Sequence, residues 1–489
     1  MNNIPAQLFI DNRWSDTTDR EPVINPANEA VIGEAPVGSA AQVDEAIAAA
    51  RNAFDKGPWP NLGAPERVAV LGRMLDYFVE RRGEIVDLIV REAGAIQMLA
   101  GPMQFDLPMK HARTLLQDAL KIEPKLSPIE LTPAMDGTKT MGTSVTTPIP
   151  RGVVSAITPY NYPFFLNLGK VMHALVMGNT CILKPSPFTP FQALVFGQAA
   201  EVAGLPAGVL NIVTGDIKAG EQLTTDKRVD MVTFTGSDKV GSAIMAQAAP
   251  TLKKLHLELG GKSALIVRQD ANQAEALMAA LMGFTIHCGQ GCALTTRILV
   301  HNDIRKGFVE QLAAMANGVK IGDPADPSVQ MGPLIREQAR QRVESYVQIG
   351  LDEGGTLVAG GKRPDGFDKG FFHQATLFDN VDNRSRLAQE EVFGPIGVVI
   401  GFDSDDEAVA IANDSDYGLG GGIYSGDVGR AYEMALQIRT GTLSINGGSG
   451  TMLSSAPFGG IKRSGIGREY GVESLLEFTD ARNISFHGG

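Results

Sequence analysis

Residues 151–185 read RGVVSAITPYNYPFFLNLGKVMHALVMGNTCILKP. GVVSAIT (152–158) is a near-continuous apolar run of strand length, PFFLNLGKVMHALVMG (163–178) has the length and apolar content of a buried helix, and NTCILKP (179–185) is a second strand. Two parallel strands need such a helical crossover, so this is a βαβ unit. The rhythm continues with FQALVFGQAAEVAG (191–204) as helix, VLNIVTG (209–215) as strand, a helix near 218–226, VDMVTFTG (229–236) as strand and SDKVGSAIMAQAAP (237–250) as helix. Strands alternating with helices in this way predict a doubly wound parallel sheet.

Upstream, Ser39 and Gln42 form a capping box for a helix whose Val43, Ala46, Ile47, Ala50 and Phe54 repeat at helical spacing, ended by Gly57 and Pro58. Residues 66–93 and 105–121 read as amphipathic helices, short polar strands flank LFIDNRW (8–14), and proline-spaced, β-prone sequence covers 122–150. Downstream, a second α/β set runs from about 259 to 445. It holds strands at SALIVRQ (263–269), TRILVHN (296–302), 396–402 and 441–446, and helices at 272–287 and 303–317. A glycine-rich stretch at 447–471 precedes a strand-like tail.

A chain of 489 residues, 44% hydrophobic, exceeds one ordinary core and predicts two or three domains. The net charge of -12 disfavours nucleic acid and anionic membrane as partners, because both need a basic patch. No apolar run is long enough for a transmembrane helix, and the N-terminus lacks the pattern of a secretory signal. Three cysteines, Cys181, Cys288 and Cys292, rule out a disulfide scaffold and fit a reducing cytoplasm. The seven histidines form no HExxH or HxxxH pair, so no metal site is expected.

Three positions carry candidate chemistry. Cys292 lies in GFTIHCGQGCALTTR, where the glycines flanking Gln290 free the backbone to turn. A lone cysteine reads either as a small buried hydrophobe or as a nucleophile. Glu258, in HLELGGK, either caps the following turn or serves as a base; Asn161, in TPYNYPFF, either forms a turn or donates from its amide.

NYP (161–163), KPSPFTP (184–190), FTGS (234–237), ELGGK (258–262), GQGC (289–292), EEVFGP (390–395) and PFGG (457–460) are each weak alone. In this order and spacing the chain resembles the aldehyde dehydrogenase superfamily, from IDNRW through PFGGIKRSGIGRE. The resemblance implies an α/β aldehyde dehydrogenase fold: a Rossmann-like cofactor-binding domain (1–131 and 151–258), an α/β catalytic domain (259–462) and a small β oligomerisation arm (132–150 and 463–489). It implies a homodimer or homotetramer acting on a small-molecule aldehyde.

The implied chemistry starts from the thiol. A free thiol has a pKa of about 8.5, and such a site activates it and aims the sulfur at the aldehyde carbon. The resemblance makes Cys292 the nucleophile, Asn161 and the Cys292 N–H the oxyanion donors, Glu258 the base that activates the hydrolytic water, and Lys170 with Glu469 a proton relay behind it. For the cofactor it implies Gly236 and Ser237 at a helix N-terminus facing the pyrophosphate. Gly241 lets that helix pack closely, Lys184 meets the adenosine ribose, Glu391 holds the nicotinamide ribose with Phe393 beside it, and Thr158, Tyr160 and Gly215 lie along the same edge.

Three departures bear on specificity. Pro187 stands where many NAD-selective relatives carry glutamate, so NAD is implied and NADP stays open. The loop after Val213, with Gly215 followed by Asp216, is shorter than usual. Gly169 occupies a position where relatives often carry tryptophan, which implies a wider tunnel lined by Leu107, Phe165, Leu166, Gly169, Gly291, Ala293, Met452 and Phe458 and suited to bulky, aromatic or otherwise hydrophobic aldehydes. The competing classes are a CoA-acylating semialdehyde dehydrogenase, which typically lacks the glutamate of ELGGK, and a non-catalytic structural protein of the same fold.

Overall fold

The computed structural model describes residues 4–133, 135–448 and 453–488. Its first sheet runs, from one edge, Arg13–Ser15, Leu8–Ile10, Leu210–Ile212, Thr180–Lys184, Val153–Ile157, Met231–Thr235, Lys254–Glu258 and Gly465–Ile466. The five central strands are parallel, and the outer ones join antiparallel. From Val153–Ile157 the chain winds outward one way, then restarts on the other side at Met231–Thr235. That reversal is a topological switch point, and the crevice of an open α/β sheet forms outside the strands' carboxyl ends there.

The central strands are buried along their whole length apart from Ile157 and the first two residues of Lys254–Glu258, as expected of strands covered by helices on both faces. A second sheet runs Thr356–Ala359, Thr376–Asp379, Ile396–Phe402, Arg297–His301, Ala264–Val267, Gly421–Tyr424 and Ser444–Ile445, parallel except at its first strand. A third, separate sheet pairs Lys139–Pro150 with Thr479–Gly488, Lys125–Leu126 and Glu130–Pro133. No helix among the described residues is long and apolar enough to cross a membrane.

Most local signals match the structure. The Ser39–Gln42 capping box opens the helix Ala40–Lys56. The 66–93 segment is instead two helices, Ala64–Glu80 and Arg82–Ala93, jointed at Arg81. The 105–121 helix begins at Leu107, after a wider turn over Pro102–Asp106. The 272–287 helix stops at Thr285 because His287 and Cys288 turn left-handed. Helices Glu337–Asp352, Asp405–Asn413 and Val428–Ala435 lie where the sequence reading assigns none.

Strand Gly465–Ile466 fixes the end of the first sheet by pairing Gly465 with Glu258. Gly465 has φ 135, and a Cβ there would fall 1.9 Å from the Leu257 carbonyl oxygen. The variant Gly465→Ala therefore forces this pairing apart, at a cost of at least about 2 kcal/mol. Its thermal midpoint should fall by several degrees in a melt followed by circular dichroism.

Candidate active site

Cys292 owes its place to strained backbone. His287 (φ 50), Cys288 (φ 55) and Gly289 (φ 71) are three successive left-handed residues. Non-glycine residues in such regions cost roughly 1–3 kcal/mol each and persist only where the surroundings over-determine them. Gly289 packs against Gly394, whose carbonyl oxygen would lie 2.1 Å from an added Cβ. Buried Gln290 then pins the turn. Its Oε1 accepts from the Ile335 N–H at 3.0 Å, its Nε2 donates to the carbonyls of His287 (3.1 Å) and Pro333 (3.4 Å), and its own carbonyl accepts from Asn161 Nδ2 at 2.8 Å. Asn161 stands just past the carboxyl end of Val153–Ile157, so this last bond ties the first sheet to the cysteine loop. An amide nitrogen carries two hydrogens, and the second is left for the chamber.

That chamber, about 1190 Å³ with its mouth, is lined by Cys292, Asn161 and Glu469 on the polar side. Leu107, Phe165, Leu166, Gly291, Ala293 and Phe458 line it as well. Gly169 does not: it lines a separate narrow void with room for about one water, so the expected widening of the tunnel at this position is not found. Phe165 and Tyr470 lie between the two. Met452 lies outside the described residues.

Strand alternation puts His256 and Glu258 on one face of Lys254–Glu258, and their partners Thr233 and Thr235 beside them. Lys170, from the helix Pro163–Val176, descends onto this face. Its Nζ donates to Glu469 Oε1 at 3.0 Å and to Thr233 Oγ1 at 3.1 Å, and the Thr233 hydroxyl lies 3.0 Å from His256 Nδ1. Burial pushes His256 down to about 3, with Lys170 adding to the effect, so its ring is neutral. Its Nδ1 shares one hydrogen bond with the Thr233 hydroxyl, whose oxygen also receives Lys170.

Two buried carboxylates share this one ammonium. Burial opposes charge on Glu469, yet the Lys170 ammonium that donates to it holds it below the ordinary carboxylate range. Glu258 has neither oxygen hydrogen-bonded. Burial raises it well above that range, the Glu469 charge raises it further, and Lys170 and Arg468 oppose. Cys292 opens onto the chamber, but the dense protein around it still dominates: burial, then Glu258, Glu391 and Glu469, push its thiol up to about 12. Burial thus works against charge on both the thiol and the Glu258 carboxyl, and positive charge beside the sulfur is what would lower the thiol again.

The carboxyl edge of the first sheet carries a second group of side chains. Thr158 donates its N–H to the Lys184 carbonyl (3.1 Å) and its hydroxyl to Asn167 Oδ1 (2.6 Å). Lys184, pushed down to about 8 by burial, has only a weak 3.4 Å contact with the Pro185 carbonyl. Ser237 caps the helix Asp238–Ala248, and Gly241 in that helix meets Leu259 so closely that a Cβ would lie 2.7 Å from its methyls. Gly215 ends the turn after Leu210–Ile212, and Gly236 donates its N–H to the Glu258 carbonyl at 3.1 Å. Glu391 folds over the Gly260–Gly261 turn, accepting the Gly261 N–H at 3.1 Å, and burial raises it to about 7. The Phe393 ring stands 6.1 Å from that of Tyr160, edge to face. No cluster of metal-ligating side chains occurs among the described residues.

Sequence reading missed Thr233, His256, Gln290 and Tyr470. A signal existed for the first two: His256 sits two residues before Glu258, so a strand must present both to one side.

Sheet, switch point and thiol–amide–carboxyl chamber define a two-sheet α/β enzyme architecture. Residues 14–484 match the aldehyde dehydrogenase family, and the chain belongs to that family. It is similar to betaine aldehyde dehydrogenase of Staphylococcus aureus, solved in complex with NAD+, at 34% identity and a TM-score of 0.94, over 99% of this chain and 95% of that one. It is also similar to a mutant form of the aldehyde dehydrogenase from Bacillus cereus, at 33% identity and a TM-score of 0.93, over 99% of this chain and 97% of that one.

The shared ammonium makes a signed prediction. Glu469→Gln removes a charge that raises Glu258, and Lys170→Met removes one that lowers it. The pH at which Glu258 ionises, read from its carboxyl band in difference infrared spectra against Glu258→Gln, should fall in the first variant and rise in the second.

Proposed function

We propose that this enzyme oxidises a bulky, aromatic or otherwise hydrophobic aldehyde to the carboxylic acid, with NAD as oxidant and a thioester on Cys292. The observation that carries the reading is the convergence of Cys292, the Asn161 amide and the Glu258–Glu469–Lys170 cluster on one apolar-walled chamber. The Cys292 thiol gives up its proton to solvent at the chamber mouth as its sulfur attacks the aldehyde carbon. The resulting oxyanion accepts from the free Asn161 N–H and the Cys292 backbone N–H, a contribution worth roughly 10²–10³ in rate per donor. Glu258 then takes a proton from the water that hydrolyses the thioester, and Glu469 with Lys170 sets when it can do so.

The dinucleotide fits the sheet edge: Lys184 has an almost unspent ammonium, Ser237 opens a helix N-terminus at the switch point, and Glu391 faces the thiol closely enough to raise it. When bound, NAD+ supplies the two-electron acceptor for the carbon held on Cys292. Glu258 favours hydrolysis over transfer to CoA, and the complete set of Cys292, Glu258, Asn161 and Lys184 favours an enzyme over a structural protein.

The substrate reading rests on the chamber's lining. Leu107, Phe165, Leu166 and Phe458 bring no charge, so an anionic aldehyde loses hydration without gaining a partner. Each added buried methylene gains up to about 0.8 kcal/mol. A trimethylammonium aldehyde is the competing substrate, because the rings of Tyr162, Phe165, Phe458 and Tyr470 all line the chamber and ring faces attract cations. In a kcat/KM panel run with NAD and with NADP, aromatic and long aliphatic aldehydes should exceed acetaldehyde and betaine aldehyde by at least about tenfold. A preference for either of the latter overturns the substrate assignment, and Cys292→Ala should be inactive throughout.

We infer a homodimer or a dimer of dimers as well. The four-stranded sheet exposes Leu126, Leu131, Met141, Ile484 and Phe486, and an apolar sheet with an open edge strand invites pairing with another chain. Light scattering at micromolar concentration should give twice or four times the chain mass; a stable monomer overturns this.

A further inference from the structure

The helix Asp238–Ala248 begins with a charge of the wrong sign for an anion site. Helix N-termini attract anions, and here a carboxylate, Asp238, is already in the first turn. Its Oδ1 accepts the Lys239 N–H at 2.8 Å, and the Ser237 hydroxyl accepts the Val240 N–H at 3.4 Å. Two first-turn donors are therefore spent within the chain. The Asp238 charge also reaches the other carboxylate of this edge: burial raises Glu391 to about 7, and Asp238 adds to the effect. A pyrophosphate placed here settles among like charges.

One cation offsets Asp238. Arg463 donates twice to its Oδ2, from Nε at 3.0 Å and from Nη2 at 2.6 Å. Both bonds converge on the oxygen that the helix leaves free, and charge-assisted bonds of this kind are stronger than neutral ones. Arg463 is delivered by a fixed turn. Lys462 before it is left-handed, with φ 55, and its Nζ donates to the carbonyls of Asn413 (3.0 Å) and Ser415 (2.9 Å). The Arg463 N–H donates to the Asp416 carbonyl at 3.1 Å. Two residues further on, Gly465 pairs with Glu258, so the segment that closes the first sheet also brings this guanidinium to the helix. The Arg463 side chain is 56% exposed and that of Asp238 19%, which leaves the pair open to salt.

We propose that Arg463 is a positioning residue for the dinucleotide: it neutralises Asp238 and holds that carboxylate aside, so that the N-terminus of Asp238–Ala248 can take the pyrophosphate. The proposal rests on the reading of this N-terminus as the pyrophosphate site. Arg463 acts through Asp238 and not on the reacting atoms.

The test is the Kd of NAD+ for the full chain, measured by titration calorimetry without aldehyde. Arg463→Gln should raise it by about fivefold at low salt, the scale of the stronger exposed ion pairs. Adding Asp238→Asn should return the Kd to the wild-type value, because the amide oxygen still accepts the Lys239 N–H and only the charge is gone. The deficit of Arg463→Gln should also shrink as salt rises from about 0.05 to about 0.5 M, since the exposed charge is then screened. An unchanged Kd in folded Arg463→Gln overturns the proposal, as does a deficit that Asp238→Asn fails to repair or that salt leaves intact. If thermal melting shows that Arg463→Gln does not fold, Asp238→Asn alone decides: it should bind NAD+ at least as tightly as wild type, and weaker binding overturns the proposal. Lys184→Met separates the proposal from the reading beneath it. If that variant weakens NAD+ and Arg463→Gln does not, the proposal alone falls; if neither does, the sheet-edge reading falls with it.

Discussion

One ammonium buried between two carboxylates governs the chemistry of this molecule. Lys170 is buried, and its Nζ meets Glu469 directly while Glu258 stands further off. Removing ions from water costs several kcal/mol apiece, so such a cluster stabilises at most one carboxylate as an anion. Glu469 takes that role. Burial and the Glu469 charge work against ionising Glu258, and burial does the same for the thiol of Cys292. The fold is built to hold this imbalance: the strand Lys254–Glu258 presents Glu258, the helix Pro163–Val176 lowers Lys170 onto it, and the segment around Gly465 brings Glu469 from the far end of the chain.

The second constraint is steric. The left-handed run at 287–289 ends a helix that hydrophobic patterning would continue, and the contact of Gly289 with Gly394 allows no side chain. Gln290 converts that sharp turn into a rigid one by spending its whole side chain on backbone groups. Its carbonyl then orients Asn161. Asn161 and the Cys292 loop are therefore tied together through a single residue, and neither can shift without the other.

How much of this was legible in the sequence depended on range. The βαβ rhythm of 151–236 was readable because parallel strands are buried on both faces and need helical crossovers, so their composition betrays them. Cys292, Glu258 and Asn161 stood out through their motifs, and Leu107, Phe165, Leu166, Gly291, Ala293 and Phe458 do line one chamber. The helix break at Thr285 was not legible, since it is imposed by tertiary contact with Gly394, more than a hundred residues away. Neither was the His256–Thr233–Lys170 chain, because it needs the register between two strands as well as the sequence of each. Short amphipathic helices at 405–413 and 428–435 carried too few turns to separate from loop.

Gly169 illustrates the limit most clearly. Reading one position against its relatives gives the volume that is missing, but not which side of a neighbouring ring that volume falls on. The answer depends on Tyr470, three hundred residues away and in a backbone conformation that no pattern of polar and apolar residues announces.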